Sequence, residues 1–341
     1  MRKAVLIALP IIFTAQACNL FSLSGDGSGS KGIFVSTDGA DTWEERSTVS
    51  AKDNLQNADI SKIFIEQNNP KNLLAATLNK GLYGSDSKAS AWIPLLPGFA
   101  AYDAFVNPFN SQEVFAVGSK SKLAVVFKSS DRGGTWVEIY NQPSGEAAVT
   151  ALAFDQNVPN ILFVGLSTGA VIKSLDNGET WNIATDLMDR VVRIIIAPDS
   201  NRTVYALTRA KGIHRSVDGG ATWNSAQATG FGASQFNDLI LSPGQPQTLY
   251  LATATNLQRS RDGGISWSEI NLPTTPRINN ITAVAINPQN PSQIFAAIKF
   301  NVYRSDDGGV TWRTHALPTG RRIFQLAIDP SEPNRIYAGV R

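Results

Sequence analysis

The octet SVDGGATW, which spans Ser216 to Trp223, is the stretch from which the fold can be read. Its tryptophan is one of seven, and successive tryptophans lie 49, 44, 45, 42, 44 and 45 residues apart. The octets that end at Trp43, Trp92, Trp136, Trp181, Trp223, Trp267 and Trp312 read STDGADTW, SDSKASAW, SSDRGGTW, SLDNGETW, SVDGGATW, SRDGGISW and SDDGGVTW. Five fit Ser-x-Asp-x-Gly-x-Thr/Ser-Trp in full, the first has Ala40 in the glycine slot, and the second has lost both Asp and Gly. Such self-similarity at a fixed period predicts a repeat architecture.

A second motif lies between the tryptophans and completes the repeating unit. Each copy is a Pro/Asn-rich turn between two short apolar runs, as in NNPKNLLAAT and DPSEPNRIYAGV. Two apolar runs around a turn are typical of a β-hairpin. Four short antiparallel strands in a unit of about 40–50 residues are typical of a propeller blade. We therefore predict an all-β fold, a single seven-bladed β-propeller of four-stranded antiparallel blades over residues 32–341.

The octet itself is predicted to be a turn that builds the fold. An Asp side chain accepts hydrogen bonds from the main chain of its own turn. Glycine adopts positive φ without a Cβ clash, and the tryptophan that follows can pack between neighbouring sheets. We expect a structural role for the Asp of six octets: Asp38, Asp131, Asp176, Asp218, Asp262 and Asp307.

The two ends of the chain predict how the ring closes. The sequence ends in IYAGVR, which by the repeat is the second strand of a unit, and Gly32–Val35 leads directly into the first octet as a third strand. Joined end to end, these two segments match the uninterrupted Leu73–Ser87 and Tyr205–Gly220. One blade is therefore predicted to be shared between N- and C-terminal strands, which hides the strand edges that an open array would expose.

The N-terminus predicts export and a lipid anchor. Met1-Arg2-Lys3 precedes a mostly apolar stretch, Ala4–Ala15, that is too short to span a bilayer, which takes about 20 residues. Ala15-Gln16-Ala17-Cys18 resembles a bacterial lipobox, and Cys18 is the single cysteine of the chain. We predict a lipoprotein signal peptide at 1–17, a lipidated Cys18 with a flexible Ser/Gly tether at 18–31, and anchoring on the extracytoplasmic side of a membrane. Cleavage after Ala17 that leaves a free cysteine is the alternative.

Composition narrows the classes of function. Hydrophobic residues at 43% and charged residues at 17% are typical of a folded globular protein, and a net charge of +2 gives no reason to expect nucleic acid as a partner. The chain has two histidines, and no His/Cys cluster has metal-ligand spacing. The GDGSGS segment lacks the strand-turn-helix setting of a nucleotide loop. We predict no cofactor and no metal.

The octets resemble the Asp-box (BNR) repeat, and the resemblance covers Gly32 to Arg341. That repeat occurs in sialidases, xyloglucanase-type glycoside hydrolases, the sortilin ectodomain and the photosystem II stability/assembly factor family. A compact, exported and tethered ring is most similar to the assembly-factor type, which implies a non-catalytic helper in assembling membrane complexes. The Pro/Asn turns followed by Ile-Tyr-Ala resemble the hydrolase and sortilin branches, so a glycan-binding protein or a glycoside hydrolase or sialidase-like enzyme is the alternative. Fold alone does not decide between them.

A ligand face is predicted at the end of the ring opposite the octets. Aligning the units on the apolar triplet before each Pro/Asn turn places Lys62, Asp103, Ala151, Arg193, Asp238, Ala283 and Gln325 in one equivalent slot, and Arg190, Arg321 and Arg322 lie a few residues before it. The repeat does not dictate these residue types. We predict a binding surface formed by Lys62, Asp103, Arg190, Arg193, Asp238, Arg321 and Arg322. Its arginines suit carboxylates or an acidic segment of a protein partner, with ordinary solvated loop charge as the alternative.

Overall fold

A computed structural model describes residues 29–49, 55–142, 145–198, 202–226, 235–274 and 280–341 of the chain. These ranges contain 28 strands in seven sheets, and every sheet has four antiparallel strands. The predicted seven-bladed β-propeller is confirmed. The described part of the chain has no helix with the length and apolar character needed to cross a bilayer.

Six blades are contiguous in sequence and one is composite. The composite blade 7 contains β1 (Gly32–Ser36) and β2 (Glu44–Glu45) from the N-terminal part of the chain. Blade 1 consists of β3 (Ile60–Ile65), β4 (Leu73–Thr77), β5 (Gly81–Ser85) and β6 (Ile93–Leu96). Blade 2 consists of β7 (Ala100–Val106), β8 (Val114–Lys120), β9 (Leu123–Ser129) and β10 (Val137–Asn141). Blade 3 consists of β11 (Val149–Phe154), β12 (Leu162–Leu166), β13 (Ala170–Ser174) and β14 (Asn182–Asp186). Blade 4 consists of β15 (Val191–Ile196), β16 (Val204–Thr208), β17 (Gly212–Ser216) and β18 (Asn224–Ser225). Blade 5 consists of β19 (Phe236–Ser242), β20 (Gln245–Thr253), β21 (Leu257–Ser260) and β22 (Ser268–Ile270). Blade 6 consists of β23 (Ile281–Ile286), β24 (Ile294–Ile298), β25 (Asn301–Ser305) and β26 (Arg313–Ala316). Blade 7 is completed by β27 (Ile323–Ile328) and β28 (Ile336–Val340).

The composite blade closes the ring as the two ends of the sequence predict. Its strand order is β2-β1-β28-β27, so the N-terminal part supplies the two outer strands and the C-terminal part the two inner ones. β1 and β28 pair antiparallel over five residue pairs, from Gly32 opposite Val340 to Ser36 opposite Ile336. Every residue of both strands is buried. The ladder therefore joins the N- and C-terminal parts of the propeller inside the core.

The core is divided into seven hydrophobic clusters, each lying between two neighbouring blades, and each contains one tryptophan. Trp92 is fully buried, whereas the other six are partly buried at the edge of their cluster. The indole N–H groups of Trp92, Trp136, Trp181 and Trp312 donate to carbonyls of the preceding blade, those of Arg46, Leu95, Ile139 and Asn271. Each indole thus contributes apolar area to a joint and, at these four joints, a hydrogen bond across it.

The octet turn, which we call the Asp-box turn, is held by a network around its aspartate. In blade 4 the Asp218 carboxylate accepts the N–H groups of Ala221 at 3.0 Å and Thr222 at 2.9 Å, as well as the Thr222 hydroxyl. The Ser216 hydroxyl donates to Asp218 at 2.7 Å and accepts the N–H of Gly220 at 2.8 Å. Gly220 has φ +87°, and a Cβ there would lie 2.6 Å from the Phe163 ring of blade 3. In blade 4, glycine therefore suits both the backbone of the turn and its close contact with the preceding blade.

Blade 1 keeps the turn without the aspartate. Ser87 stands in the Asp slot, and Ala89 has φ +66° in the glycine slot. Ser85 still accepts the Ala89 N–H at 3.1 Å. Lys88 in this turn pairs with Glu332 at 2.5 Å and lies 3.6 Å from Asp329, both in blade 7. A charged contact between blades thus holds the turn that has lost its own network.

Restoring the missing network should stabilise the protein. In Ser87→Asp/Ala91→Thr, the new carboxylate can accept the N–H and hydroxyl of residue 91, as at the intact turns. We expect the free energy of unfolding to rise by about 1 kcal/mol, since a net intramolecular hydrogen bond contributes about 0.5–1.5 kcal/mol. Urea unfolding followed by tryptophan fluorescence measures it. Ser90→Asp, an exposed carboxylate one position from the alanine, is the matched control; equal or lower stability of the double variant would contradict this account of the turn.

Acid should weaken the fold through the Asp-box aspartates. Hydrogen bonds from the Thr180 hydroxyl, the Thr180 N–H and the Ser174 hydroxyl lower the pKa of Asp176 to about 2. The corresponding bonds at Asp218 and Asp307 lower the pKa of each carboxyl still further. A carboxyl whose pKa is lower in the folded than in the unfolded state contributes stability above the unfolded value of about 3.9, and this is lost as pH falls through the folded value.

We therefore expect stability to fall steeply between about pH 4 and pH 2, and the slope to flatten in Asp176→Asn/Asp218→Asn/Asp307→Asn, in which these carboxyls no longer titrate. Denaturant unfolding at a series of pH values measures the slope. Asp86→Asn removes an exposed carboxylate outside such a network and should leave it unchanged. An unchanged slope in the triple variant would show that other groups control acid unfolding.

Candidate functional site

A β-bulge lies at the start of the innermost strand of every blade. The pairing of the first strand with the second skips one residue in all seven hairpins, for example between Ile60 and Lys62 and between Phe236 and Asp238. A bulge of this kind places two residues opposite one and redirects a side chain. The skipped residues form one ring around the channel, here called the bulge ring: Ser61, Tyr102, Thr150, Val192, Asn237, Thr282 and Phe324.

Four members of the bulge ring join their blade to the next. The hydroxyls of Ser61, Thr150 and Thr282 donate to carbonyls of the following blade, those of Ala101, Val191 and Ile323, at 2.6, 2.6 and 2.5 Å. The Asn237 amide donates to the Ile281 carbonyl at 2.7 Å. The other three members are Tyr102, Val192 and Phe324, whose side chains line the channel mouth.

The slot predicted from sequence forms a second ring just below the first, here called the belt: Lys62, Asp103, Ala151, Arg193, Asp238, Ala283 and Gln325. In blade order the belt has a cation, an aspartate and an alanine in blades 1 to 3, the same three types in blades 4 to 6, and a glutamine in blade 7. Arg193 donates from Nε at 3.0 Å and Nη2 at 2.6 Å to Oδ1 of Asp238, whereas Nζ of Lys62 lies 3.9 Å from Asp103. The belt therefore carries two cation–carboxylate pairs, of which only the Arg193 pair is hydrogen bonded.

Each aspartate of the belt also reaches toward the next blade, where the slot holds alanine. Asp103 accepts the N–H of Ala104 at 2.9 Å and that of Leu152, which follows Ala151, at 3.4 Å. Asp238 accepts the N–H of Leu239 at 3.0 Å and that of Val284, which follows Ala283, at 3.3 Å. Both carboxylates are buried, with 6% and 3% of the residue exposed. Small slot residues thus leave room for a carboxylate that bonds the neighbouring main chain, which stabilises its charge.

Above the belt the channel widens into a cavity of about 520 Å³, here called the funnel. Six cationic side chains line it, Lys62, Arg190, Arg193, Arg209, Arg322 and Arg341, against the two carboxylates Asp103 and Asp238, an excess of four formal positive charges. Arg190 lies over the Tyr102 ring at 5.4 Å and Arg341 over the Phe324 ring at 4.4 Å. Aromatic rings of the bulge ring therefore orient two of the guanidinium groups.

Four of these arginines are not neutralised by the described residues. In that part of the chain, no carboxylate lies within 4 Å of the guanidinium nitrogens of Arg190, Arg209, Arg322 or Arg341. Arg209 instead donates to the Asn237 amide oxygen at 2.9 Å and Arg341 to the Ile60 carbonyl at 3.0 Å. Burial, aided by the positive charge of Arg190, lowers the pKa of both Arg209 and Arg341, although Asp189 and Asp59 oppose the shift. An anion in the funnel would relieve this crowding of like charges.

The structure brings six of the seven predicted binding residues into this funnel: Lys62, Asp103, Arg190, Arg193, Asp238 and Arg322. Arg321 does not line it, since its Nε donates to the Gly29 carbonyl at 3.4 Å, outside the channel. Residues 29–31, the end of the predicted tether, also contact the ring through an ion pair of Lys31 with Asp59 at 2.8 Å. Cys18 and the predicted signal peptide lie outside the described residues.

Sequence reasoning missed Tyr102, Arg209, Phe324 and Arg341. Arg209 and Arg341 stand at one repeat position, just after the second strand, in the segments Thr208-Arg209 and Val340-Arg341. That equivalence was available from the match between the two ends of the chain. Tyr102 and Phe324 are bulge residues. The hydrophobic alternation does not mark a bulge, so counting the strands as regular assigns these two side chains to the wrong face.

The site is suited to holding an anion. Its two carboxylates are buried and hydrogen bonded to main-chain N–H groups or to Arg193. Among the described residues there is no group of three or more His, Cys, Asp or Glu side chains that could hold a metal ion. Arginine guanidinium groups recognise carboxylates and phosphates through paired hydrogen bonds.

A profile of the DUF6242 beta propeller domain matches residues 104–326, about two thirds of the chain. The chain belongs to the DUF6242 beta propeller domain family.

Xyloglucanase-type enzymes and YCF48 are among the proteins to which this chain is similar. A xyloglucanase of Paenibacillus sp. is 25% identical to this chain over 210 residues, which are 48% of this chain and 20% of the relative. The structure of the GH74 enzyme of Niastella koreensis superposes with a TM-score of 0.68 at 19% identity, over 90% of this chain and 52% of that one. The structure of YCF48 of Cyanidioschyzon merolae has a TM-score of 0.63 at 16% identity, over 83% of this chain and 95% of that one. A structure of YCF48 bound to a D1 peptide has the same TM-score at 13% identity, over 83% of this chain and 94% of that one. This chain spans only a fifth of the curated relative. At these identities the solved structures show the shared fold, and the expected resemblance to xyloglucanase-type propellers is confirmed.

Proposed function

We propose that this member of the DUF6242 beta propeller domain family is a non-catalytic binding protein that receives an acidic segment of a protein partner in the funnel. The observation that carries the proposal is the group of four guanidinium groups, Arg190, Arg209, Arg322 and Arg341, that share one cavity with no carboxylate of the described residues within 4 Å. Uncompensated charge of this density costs stability, and a bound anion offsets that cost.

The funnel suits a short peptide segment in size and chemistry. Its volume of about 520 Å³ holds a few side chains, and its walls alternate arginines with the Tyr102 and Phe324 rings. Carboxylates can pair with the guanidinium groups while apolar parts of the segment contact the rings. The similarity to YCF48, which has been solved with a D1 peptide bound, supports a peptide as the class of ligand.

We extend the proposal to a membrane setting. The sequence resemblance to the photosystem II stability/assembly factor family implies help in assembling a membrane protein complex, and the predicted lipid anchor at Cys18 would hold the propeller at the extracytoplasmic surface where such a complex is reached. The partner would then be a membrane protein with an acidic extracytoplasmic segment.

A glycan is the second candidate ligand. The curated relatives that match this chain are xyloglucanases, and the half-buried rings of Tyr102 and Phe324 line the funnel, where they could contact a sugar. Hydrolysis would need two carboxyl groups free to act as acid and base. Asp103 and Asp238 are the carboxylates of the funnel, and both are engaged by main-chain N–H groups.

The peptide proposal predicts a charge-specific affinity. A fluorescent ten-residue peptide rich in Asp and Glu should bind at least about tenfold more tightly than the same peptide with Asn and Gln, a difference of about 1.4 kcal/mol. Arg190→Gln/Arg209→Gln/Arg322→Gln should abolish that preference, because the three guanidinium groups supply the charge. Fluorescence anisotropy in a series of salt concentrations measures both effects.

The matched control removes three positive charges elsewhere. Arg46→Gln/Arg261→Gln/Arg313→Gln has the same net charge, and all three arginines are exposed and lie outside the funnel. Equal loss of binding in the control would show non-specific attraction and would contradict the proposed site. A parallel screen with xyloglucan oligosaccharides, followed by binding and by product release, decides for the glycan if it finds a ligand that the funnel variant loses.

The lipid anchor predicts acylation at one residue. Expressed in a bacterial host with a clickable palmitate analogue, the full chain should be labelled and should fractionate with membranes, whereas Cys18→Ser should be unlabelled and released. Ser22→Ala, a small change four residues away in the same segment, should behave as the unchanged chain. An unlabelled, released protein with Cys18 present would favour simple cleavage after Ala17.

A further inference from the structure

A second cavity lies on the other side of the belt. It has a volume of about 700 Å³, here called the lower chamber, and it shares Lys62, Asp103, Arg193 and Gln325 with the funnel. Turn residues at its far end, among them Gln67, Gln156 and Pro243, belong to the hairpins between first and second strands. The lower chamber therefore lies toward the Asp-box face, and the belt separates it from the funnel.

Two apolar walls line the lower chamber. Blades 1 to 3 supply Phe64, Phe105 and Phe154, whose neighbouring ring centroids are 4.8 and 5.5 Å apart. Blades 4 and 5 supply an aliphatic wall that includes Ile195 and Leu241. Cavities of about 300–1,000 Å³ with apolar walls and a few polar groups are the usual form of small-molecule sites.

The polar end of the lower chamber holds one cation with unused donors. The Lys62 side chain is only 21% exposed, and among the described residues its one charged partner is Asp103, at 3.9 Å, beyond hydrogen-bond distance. Arg193, by contrast, is bonded twice to Asp238, and Asp103 accepts two main-chain N–H groups. The Lys62 ammonium has three donors, and none of the described residues lies within hydrogen-bond distance of it as a charged partner, so an anion in the chamber can accept from it.

We propose that the lower chamber is a second binding site, for a small molecule with an apolar body and one anionic group, and that Lys62 receives the anion. The phenylalanine wall and the aliphatic wall enclose the body, and the belt limits how far the ligand enters. The site lies on the other side of the belt from the funnel, with which it shares the belt residues, and it does not depend on the function proposed for the funnel. Burial, reinforced by the positive charge of Arg193, lowers the pKa of Lys62 although Asp103 and Asp238 oppose the shift, and a bound anion would add to their effect.

Dodecanoate is a suitable probe because dodecanol has the same apolar chain without the charge. Isothermal titration calorimetry of the full chain, below the micelle concentration, should show dodecanoate binding at least about tenfold more tightly than dodecanol. Lys62→Met keeps the length of the side chain and should bring the two affinities together. Lys122→Met, the same change at an exposed lysine on blade 2, should keep the preference for dodecanoate.

Two further variants locate the bound probe. Ala153 lines the lower chamber, so Ala153→Phe should fill part of it and weaken both probes about tenfold or more. Arg190→Gln/Arg322→Gln alters only the funnel and should leave dodecanoate binding unchanged. If Ala153→Phe does not fold, a dodecanoate with a photoreactive diazirine at its methyl end serves on the unchanged protein, and mass spectrometry should find the label on the phenylalanine wall.

Three results would overturn the proposal. One is equal affinity of dodecanoate and dodecanol for the unchanged protein. Another is a preference for dodecanoate that survives Lys62→Met. The third is loss of binding in the funnel variant, or a photolabel on funnel residues, either of which would place the anion above the belt. None of these results contradicts the acidic-peptide proposal, so the two proposals fail independently.

Discussion

The pairing of β1 with β28 is the contact on which the rest of the structure depends. Six blades can stack in sequence order, each packing on the next, but the seventh exists only when strands from both parts of the chain meet. Its five residue pairs are buried and are flanked by two of the seven hydrophobic clusters. Without this ladder the innermost strands would not be held in a circle, and the belt, the funnel and the lower chamber would lose their common axis.

Most of the fold could be predicted from sequence because it depends on local chemistry repeated seven times. The octets determine the turns, the tryptophan spacing gives the number of blades, and the half-units at the two ends give the closure. The slot from Lys62 to Gln325 was also predictable, since it follows from aligning apolar triplets. These features can be read from the sequence because the same local arrangement recurs in each blade.

The rest of the site could not be predicted for a geometric reason. Tyr102 and Phe324 reach the channel only because a bulge shifts the alternation by one residue, and the alternation itself gives no sign of it. Arg321 and Arg322 are adjacent in sequence, yet only Arg322 lines the funnel while Arg321 contacts Gly29. The pairing of Arg193 with Asp238 depends on two neighbouring blades bringing these belt positions together. It also depends on the small side chain of Ala283, which leaves space for the Asp238 carboxylate beside the main chain of blade 6.

The bulge also has a consequence for how such proteins diversify. Where the bulge residue makes no bond to the next blade within the described part of the chain, as at Tyr102, Val192 and Phe324, it adds a side chain at the axis of the ring without using a ladder position, so its identity is loosely coupled to the sheet that carries it. Hydroxyl, amide, aliphatic and aromatic residues all occupy the bulge ring of this one protein. A lineage can therefore exchange the groups that face a ligand, one blade at a time, while the blades themselves stay the same. Such independently variable positions on one rigid frame make a propeller a suitable scaffold for acquiring new specificities.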